Sequence, residues 1–309
     1  MPLRETSTLP SNLNKLVNIQ LEVWPEHEKY LSKRFANNDE EFLKRVDDIA
    51  ALVLKLIEGK AIEFHASYRW MCENFIEEDL HFRRTKSYRY SSFEEVNNFV
   101  YNDFDYMSKY VQGILLSQIF WHNHAIALDY FRTSFLENLP FNTRYLEIGP
   151  GHGLFLYFAS QCKRIASLTA WDVSAASLDA TQKALHCLGG EHEVNYVRQD
   201  ILQSVSEKEN FDAVVISEVL EHLEKPDVAL RQLHNALTPS GKIYINIPIN
   251  SPAPDHIFLW RHPEEFETLL EKTGFIIDEK HYIPATGYTL DRALKLDLSV
   301  SCVYSCVKR

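Results

Sequence analysis

The chain has 309 residues, a formal net charge of −11 at pH 7 and a hydrophobic content of 45%. This length suffices for one large domain or two ordinary ones, each with a substantial core. The acidic balance disfavours a nucleic-acid partner, and no apolar run in the sequence reaches the length of a membrane span.

The amino terminus, Met1-Pro-Leu-Arg-Glu-Thr6, lacks the apolar segment of a secretory signal peptide. The five cysteines are scattered along the chain, and their odd number argues against a disulfide scaffold. We therefore expect a cytoplasmic protein whose cysteines are reduced.

Residues 11 to about 138 are predicted to be all-helical. The segment Asn37–Phe42 supplies a helix N-cap and an acidic first turn. Apolar residues then recur at helical spacing as far as Gly59: Phe42, Val46, Ile49, Val53 and Leu56. Further along, Ser91 with Glu94, or Ser92 with Glu95, would form a capping box. Gly113 is expected to interrupt the apolar helix that follows.

From residue 144 onward, strand-like and helix-like segments alternate, which predicts a parallel, doubly wound sheet. The predicted strands lie near 144–149, 167–172, 193–198, 211–217 and 241–247. The predicted helices lie near 153–162, 175–188, 226–237 and 263–273. The carboxy-terminal run 296–306 alternates well and is predicted to be a long strand of the same sheet.

A glycine-rich turn joins the first predicted strand and helix of this half. Gly149, Gly151 and Gly153 stand within five residues, and Glu147 lies just before them. Glycine allows positive φ and lets a ligand approach the backbone closely. Asp172 follows Glu147 by 25 residues, at the end of the second predicted strand, where a carboxylate can bind ribose hydroxyls.

The Glu-x-Gly-x-Gly-x-Gly pattern resembles motif I of the class I S-adenosylmethionine (SAM) dependent methyltransferases. It differs from a dinucleotide-binding fingerprint, because Glu147 lies inside the motif and Pro150 and His152 occupy its variable positions. The resemblance implies a Rossmann-like α/β sheet in residues 141–309. Residues 1–140 would form an all-helical lid that shapes the substrate pocket, as in the azetidine-2-carboxylate synthase branch.

The resemblance also implies which residues contact SAM. An acid at the end of the third strand, here Asp200, often accepts the adenine amino group in this family. The segment that ends the fourth strand, Ser217-Glu-Val-Leu-Glu-His222, matches a second family segment. The implied SAM contacts are Glu147, Gly149, Gly151, Gly153, Asp172, Asp200, Ile201, Ser217 and Glu218.

Glu218, Glu221 and His222 allow a second interpretation, as part of a metal site. In small-RNA 2′-O-methyltransferases a Glu-x-x-Glu-His set and a later histidine hold a divalent ion, and His256 would be that later ligand here. Metal-free small-molecule methyltransferases, however, have the same residues at these positions. We therefore expect no metal, and we treat His222 and His256 as candidate general bases.

The helical half is rich in aromatic residues. Tyr101, Tyr106 and Tyr110 are candidate catalytic side chains, because an aromatic face can stabilise the positive sulfonium of SAM. The alternative is that they are ordinary core residues.

These patterns predict a SAM-dependent enzyme that methylates a small molecule, in secondary metabolism, without nucleic-acid or membrane partners. One alternative is cyclisation of SAM itself to azetidine-2-carboxylic acid with release of methylthioadenosine. Others are an RNA 2′-O-methyltransferase and a SAM-binding regulator without catalytic activity.

Overall fold

The computed structural model describes residues 9–36, 38–190, 193–204 and 210–309. Residues 1–8 of the expected helical domain, and Asn37 of the expected N-cap, lie outside the described residues. The prediction that residues 11 to about 138 are helical is confirmed. Their α-helices are α1 Ser11–Val23, α2 Glu28–Phe35, α3 Glu40–Leu56, α4 Ala61–Thr85, α5 Phe93–Val96, α6 Phe104–Phe120 and α7 His122–Tyr130. Two π-helical turns, Asn97–Tyr101 and Phe131–Phe135, continue α5 and α7.

Local capping sets where these helices begin. The Asp39 side chain accepts a hydrogen bond of 2.7 Å from the Phe42 amide and is the N-cap of α3. At the start of α5, Ser92 Oγ accepts from the Glu95 amide at 3.3 Å. The Glu95 carboxylate in turn accepts from the Ser91 amide at 3.0 Å. Of the two capping boxes considered, the structure has the pair Ser92 and Glu95.

The predicted interruption at Gly113 is wrong, because Gly113 lies inside the continuous helix α6. A Cβ built on Gly113 would lie 2.7 Å from Met71 Sδ of α4. The glycine therefore allows two long helices to pack closely. Helix α6 ends instead at Trp121, whose backbone is extended.

The carboxy-terminal half forms one seven-stranded sheet. Its strands are β1 Thr143–Ile148, β2 Ile165–Asp172, β3 Val194–Arg198, β4 Phe211–Ser217, β5 Leu237–Ile249, β6 Phe275–Pro284 and β7 Val300–Lys308. The helices between them are α8 Leu154–Ser160, α9 Ala175–Leu188, α10 Pro226–Ala236, α11 Pro263–Lys272 and α12 Leu290–Lys295. The strand order is β3-β2-β1-β4-β5-β7-β6. Strands β1 to β5 are parallel, and β7 is antiparallel to β5 and β6. The predicted α/β class is confirmed.

Two predicted boundaries need correction. Strand β5 continues to Ile249, two residues beyond its predicted end, because its last residues pair with β7. The carboxy-terminal strand begins at Val300 and not at Leu296. Asp297 has a φ of 50°, and the Leu298 amide donates to the Ala293 carbonyl, so these residues end helix α12.

The sheet has a separate apolar core on each face, because successive side chains of a strand point in opposite directions. Tyr145 of β1 packs in the core that contains α8, α9 and the amino-terminal helices. Leu146 and Ile148 pack in the other core, with α10 and α11. The amino-terminal helices therefore share a continuous core with one face of the sheet.

The chain reverses its direction across the sheet between β1 and β4. From β1 it passes outward to β2 and β3, and then returns to β4 on the other side. In open α/β sheets a ligand crevice forms at such a point, outside the carboxyl ends of the strands. Within the described ranges, no helix is both long and apolar enough to cross a membrane.

Candidate functional site

A cavity of about 910 Å³ lies at the carboxyl ends of β1 and β4, under the amino-terminal helices. One wall is the glycine-rich turn after β1 together with the ends of β4 and β5. The opposite wall comes from α2, α4, α6 and α7. The structure thus places both halves of the chain around one cavity.

The three glycines of the turn all have positive φ, at 63°, 49° and 77° for Gly149, Gly151 and Gly153. A Cβ on Gly149 would lie 2.8 Å from a methyl group of Val219. A Cβ on Gly153 would contact Thr181 at 3.5 Å, where α8 begins beside α9. On Gly151 the nearest described atom would be the Gly149 carbonyl oxygen, at 3.8 Å. Gly149 and Gly151 line the cavity, and Gly151 leaves open space on its Cβ side.

Hydrogen bonds hold this turn in position. The Gly149 amide donates to the Trp171 carbonyl of β2 at 2.8 Å. The buried Thr181 hydroxyl of α9 donates to the Gly151 carbonyl at 2.8 Å. The turn is therefore fixed by both neighbouring elements before any ligand binds.

Glu147 is a buried carboxyl group on the cavity wall, 3% exposed. It accepts a hydrogen bond of 2.9 Å from the Tyr145 hydroxyl. Burial raises the pKa of Glu147 to about 8, although the bond from Tyr145 acts in the opposite direction. The side chain is therefore largely protonated near neutral pH when no cation is nearby.

Three of the expected SAM contacts lie at the ends of β2 and β3. The Asp172 carboxylate accepts from the Ser174 amide at 2.8 Å and from the Ser177 hydroxyl at 2.7 Å. Asp200 accepts from the Leu202 amide at 2.9 Å, and Ile201 packs in the apolar core. None of these three residues is among those that line the cavity.

Ser217 and Glu218 end β4 on the cavity wall. Ser217 Oγ accepts from the Asn246 side-chain amide at 3.2 Å. Glu218 has a φ of 54°, uncommon for a residue with a side chain. Burial raises its pKa, while a hydrogen bond from Asn246 acts against the increase. Considering the described residues alone, Glu218 Oε1 and Asn246 Oδ1 are buried without a hydrogen-bond partner.

His222 and His256 also line the cavity, and their ring centroids are 4.9 Å apart. His256 is buried, and burial is the main reason why its pKa is lowered to about 4. Its ring is therefore neutral at neutral pH. Glu221, which is fully buried, lies beside both rings, with Oε1 at 3.8 Å from His222 Nε2 and 3.9 Å from His256 Nε2.

The three candidate tyrosines occupy different positions. Tyr110 lines the cavity, and its hydroxyl donates to Asp255 Oδ1 at 2.9 Å. Tyr101 lies 3.5 Å from Asp255 Oδ2 and from His222 Nδ1. Tyr106 packs edge-on against Trp70, 4.7 Å away. Of the three, the structure puts Tyr110 on the cavity wall.

Residues 146–243, which run from β1 into β5, match the family described as "Methyltransferase domain". The chain contains a methyltransferase domain. The glycine-rich turn and the strand order agree with the Rossmann-like sheet that the resemblance to class I methyltransferases implied.

Curated relatives of the methyltransferase domain include the ubiquinone biosynthesis O-methyltransferase of Xanthomonas axonopodis pv. citri (strain 306). It is 30% identical over 115 residues, which cover 37% of this chain and 46% of the relative. The protein of the same name from Alkalilimnicola ehrlichii (strain ATCC BAA-1101 / DSM 17681 / MLHE-1) is 31% identical over 131 residues, or 42% of this chain and 51% of the relative. The chain thus spans about half the length of these relatives.

A solved structure, the mitomycin 7-O-methyltransferase MmcR, has a similar fold with a TM-score of 0.53. The two sequences are 13% identical, and the match covers 84% of this chain and 75% of the other. At this identity the likeness shows a shared fold.

Two residues that line the cavity were not predicted from the sequence. Asn246 lines it from inside β5, and its signal was a polar residue within the apolar run Ile243–Ile249. His124 also lines it, and its Nδ1 lies 2.8 Å from Ser117 Oγ. A single histidine on a helix carries no such signal, because its position depends on how α7 packs.

Glu147 leads to a prediction about pH. The folded chain keeps the Glu147 proton up to a pKa of about 8, whereas an unshifted glutamate releases it near 4.5. The unfolded chain thus binds fewer protons between these values, so the free energy of unfolding should fall as pH rises from 4.5 to about 8. Urea unfolding across this range should show a weaker fall in Glu147→Gln. The exposed Glu137→Gln should keep the full dependence, and equal slopes in all three proteins would contradict the prediction.

Proposed function

We propose that the chain transfers a methyl group from SAM to a small molecule that binds in this cavity. The observation that carries this proposal is the size and position of the cavity. Its volume of about 910 Å³ is near the upper end of the roughly 300–1,000 Å³ that is usual for small-molecule sites. It therefore has room for a second small molecule beside SAM.

The residues of the cavity wall suit SAM. Gly151 leaves space where any side chain would obstruct a ligand, and the backbone of the turn can be approached closely. Glu147 and Glu218 provide carboxyl groups on the same wall, and their ionised forms would attract the positive charges of SAM. The roles of Asp172 with ribose and of Asp200 with adenine rest on the family resemblance.

We also propose that the two domains have the separate functions expected from the sequence. Residues 141–309 bind SAM, and residues 1–140 shape the pocket for the acceptor. SAM supplies an electrophile that its sulfonium charge already activates, so the protein contributes mainly positioning. Helices α2, α4, α6 and α7 cover the cavity, and such a cover excludes water and fixes the line of attack.

The acceptor atom proposed here is an oxygen. The support is that the relatives named above are O-methyltransferases. A hydroxyl acceptor must lose a proton, and His222 and His256 are the candidate bases, since both line the cavity. Biosynthesis of a secondary metabolite in the cytoplasm is the proposed setting. The net charge of −11 and the volume of the cavity, about 910 Å³, favour a small molecule over RNA.

One observation favours the alternative, cyclisation of SAM. Tyr110 and Trp121 from the helices present aromatic side chains to the same cavity as the glycine turn. A cover of this kind could hold SAM folded for attack by its own amine, with methylthioadenosine as the leaving group.

A single set of incubations distinguishes these activities. The chain is incubated with SAM alone and with SAM plus a panel of hydroxylated small molecules, and the products are identified by mass. We expect S-adenosylhomocysteine and a methylated acceptor, formed only when an acceptor is present. Methylthioadenosine from SAM alone would instead establish cyclisation, and a chain that binds SAM without either product would contradict both proposals.

A further inference from the structure

Glu221, His222 and His256 form a compact group of potential ligand atoms beside the cavity. One donor atom from each lies within 4.8 Å of the other two. Glu221 Oε1 is 3.8 Å from His222 Nε2 and 3.9 Å from His256 Nε2. Donors that each bind one zinc ion at about 2.1 Å in tetrahedral geometry stand about 3.4 Å apart. Shifts of less than about 1 Å at each donor would place all three around one ion.

The Glu221 carboxyl group is placed to bind a cation. The residue is fully buried, and no other described residue makes a hydrogen bond to either of its side-chain oxygens. Buried carboxylates in proteins are normally paired, hydrogen-bonded or bound to a metal. Here both imidazole rings have a nitrogen within 4 Å of Oε1.

Both imidazole rings are oriented as metal ligands are. His222 Nδ1 lies 3.0 Å from the Asp255 carbonyl oxygen, and His256 Nδ1 lies 2.7 Å from the Ser251 carbonyl oxygen. A carbonyl oxygen can only accept, so each Nδ1 carries the proton and donates. In the neutral rings this leaves the lone pair on each Nε2, the atom directed at Glu221. Such outer hydrogen bonds to Nδ1 are the usual support of metal-binding histidines.

The backbone holds the group together. The Glu221 carbonyl oxygen accepts hydrogen bonds from the Ile257 amide at 3.0 Å and the Phe258 amide at 2.9 Å. These bonds tie the loop that carries His256 to the short segment that carries Glu221 and His222. The ligand geometry is therefore built into the fold.

We propose that Glu221, His222 and His256 bind a divalent first-row transition-metal ion. Two imidazoles and one carboxylate suit Zn²⁺, Mn²⁺, Fe²⁺ or Co²⁺, and a three-residue set leaves positions open. Because His222 and His256 line the cavity, an open position faces it. If the proposed methyl transfer is correct, that position binds an oxygen atom of the acceptor, and His222 and His256 then act as metal ligands and not as general bases. This proposal departs from the expectation, drawn from the sequence letters, that the chain holds no metal.

The test measures metal binding without SAM or acceptor. The chain, free of any histidine tag, is dialysed against a chelator and titrated with Co²⁺, Mn²⁺ and Zn²⁺ by calorimetry. We expect about one ion per chain, and a visible absorption band for Co²⁺ that reports histidine ligands. His256→Asn and Glu221→Gln should each weaken binding by more than about tenfold.

His281→Asn is the matched control, because His281 Nε2 lies 3.9 Å from Glu279 Oε2 at the surface. It should bind the ion as the wild type does. If His256→Asn and Glu221→Gln do not fold, metal binding is measured instead with the variant of the half-buried His222, His222→Asn. The Co²⁺ spectrum of the wild type then shows whether histidines bind the ion. Absence of binding to the wild type, or equal affinity in the site variants and His281→Asn, overturns the metal site.

The role of the metal ion in binding the acceptor is tested separately. Chelated protein should lose methyl transfer, and one added ion should restore it. Full activity after chelation would overturn that role while the binding data stand. A chain that binds one ion but methylates no acceptor would count against the proposed function and not against the metal site.

Discussion

Gly151→Val is expected to abolish SAM binding while the chain remains folded. The Cβ of residue 151 would point into open space in the cavity wall, where the nearest described atom is a carbonyl oxygen 3.8 Å away. A branched side chain there would occupy the space proposed for the ligand. We expect the affinity for SAM, measured by calorimetry, to fall on the order of 100-fold or more, about 2.7 kcal/mol.

The substitution also strains the backbone, because φ at Gly151 is +49°. A side chain in the left-handed region costs about 1–2 kcal/mol. Gly59→Val is the matched control, since Gly59 has a φ of +75°, is exposed, and has no described atom within 4 Å of its added Cβ. It should lose similar stability and keep wild-type SAM affinity. A folded Gly151→Val protein with unchanged affinity would rule out SAM binding at this turn.

Features that depend on neighbours in the sequence were predictable. The Asp39 cap and the positive-φ glycines follow from local chemistry, and the structure has them in place. The order of motifs along the chain was enough to predict the α/β class. The edge of the sheet at which the cavity lies was also predictable, because the carboxyl ends of parallel strands lie at the same edge of a sheet.

Features that depend on distant contacts were not predictable. Gly113 looked like a helix break, but it accommodates Met71 of another helix. Tyr110 reaches Asp255 across 145 residues of sequence, and no local pattern records that contact. Glu221, His222 and His256 could be identified as candidate ligands from the sequence. The burial of Glu221, and the nitrogen atom on which each imidazole carries its proton, could be known only from the fold.

The second large effect is expected at Tyr110, where the helices meet the cavity. Its ring lies parallel to that of Phe75, 6.2 Å away, and its hydroxyl donates to the buried Asp255. Tyr110→Leu removes both the aromatic face and the hydroxyl. We expect turnover, measured as the adenosyl product released from SAM, to fall about tenfold or more, or 1.4 kcal/mol in the barrier.

Two further variants separate the causes. Tyr110→Phe keeps the ring and removes the donor to Asp255, so a loss equal to that of Tyr110→Leu would assign the effect to the hydrogen bond. Wild-type turnover in Tyr110→Phe would assign it to the aromatic face, which can stabilise a sulfonium charge. Tyr106→Leu is the control, because Tyr106 packs on Trp70 and not on the cavity wall. If Tyr110→Leu retains wild-type turnover, or Tyr106→Leu loses as much, the helices have only a structural role. A Tyr110 variant that shifts the products from S-adenosylhomocysteine toward methylthioadenosine would show that the same side chain keeps SAM from attacking itself.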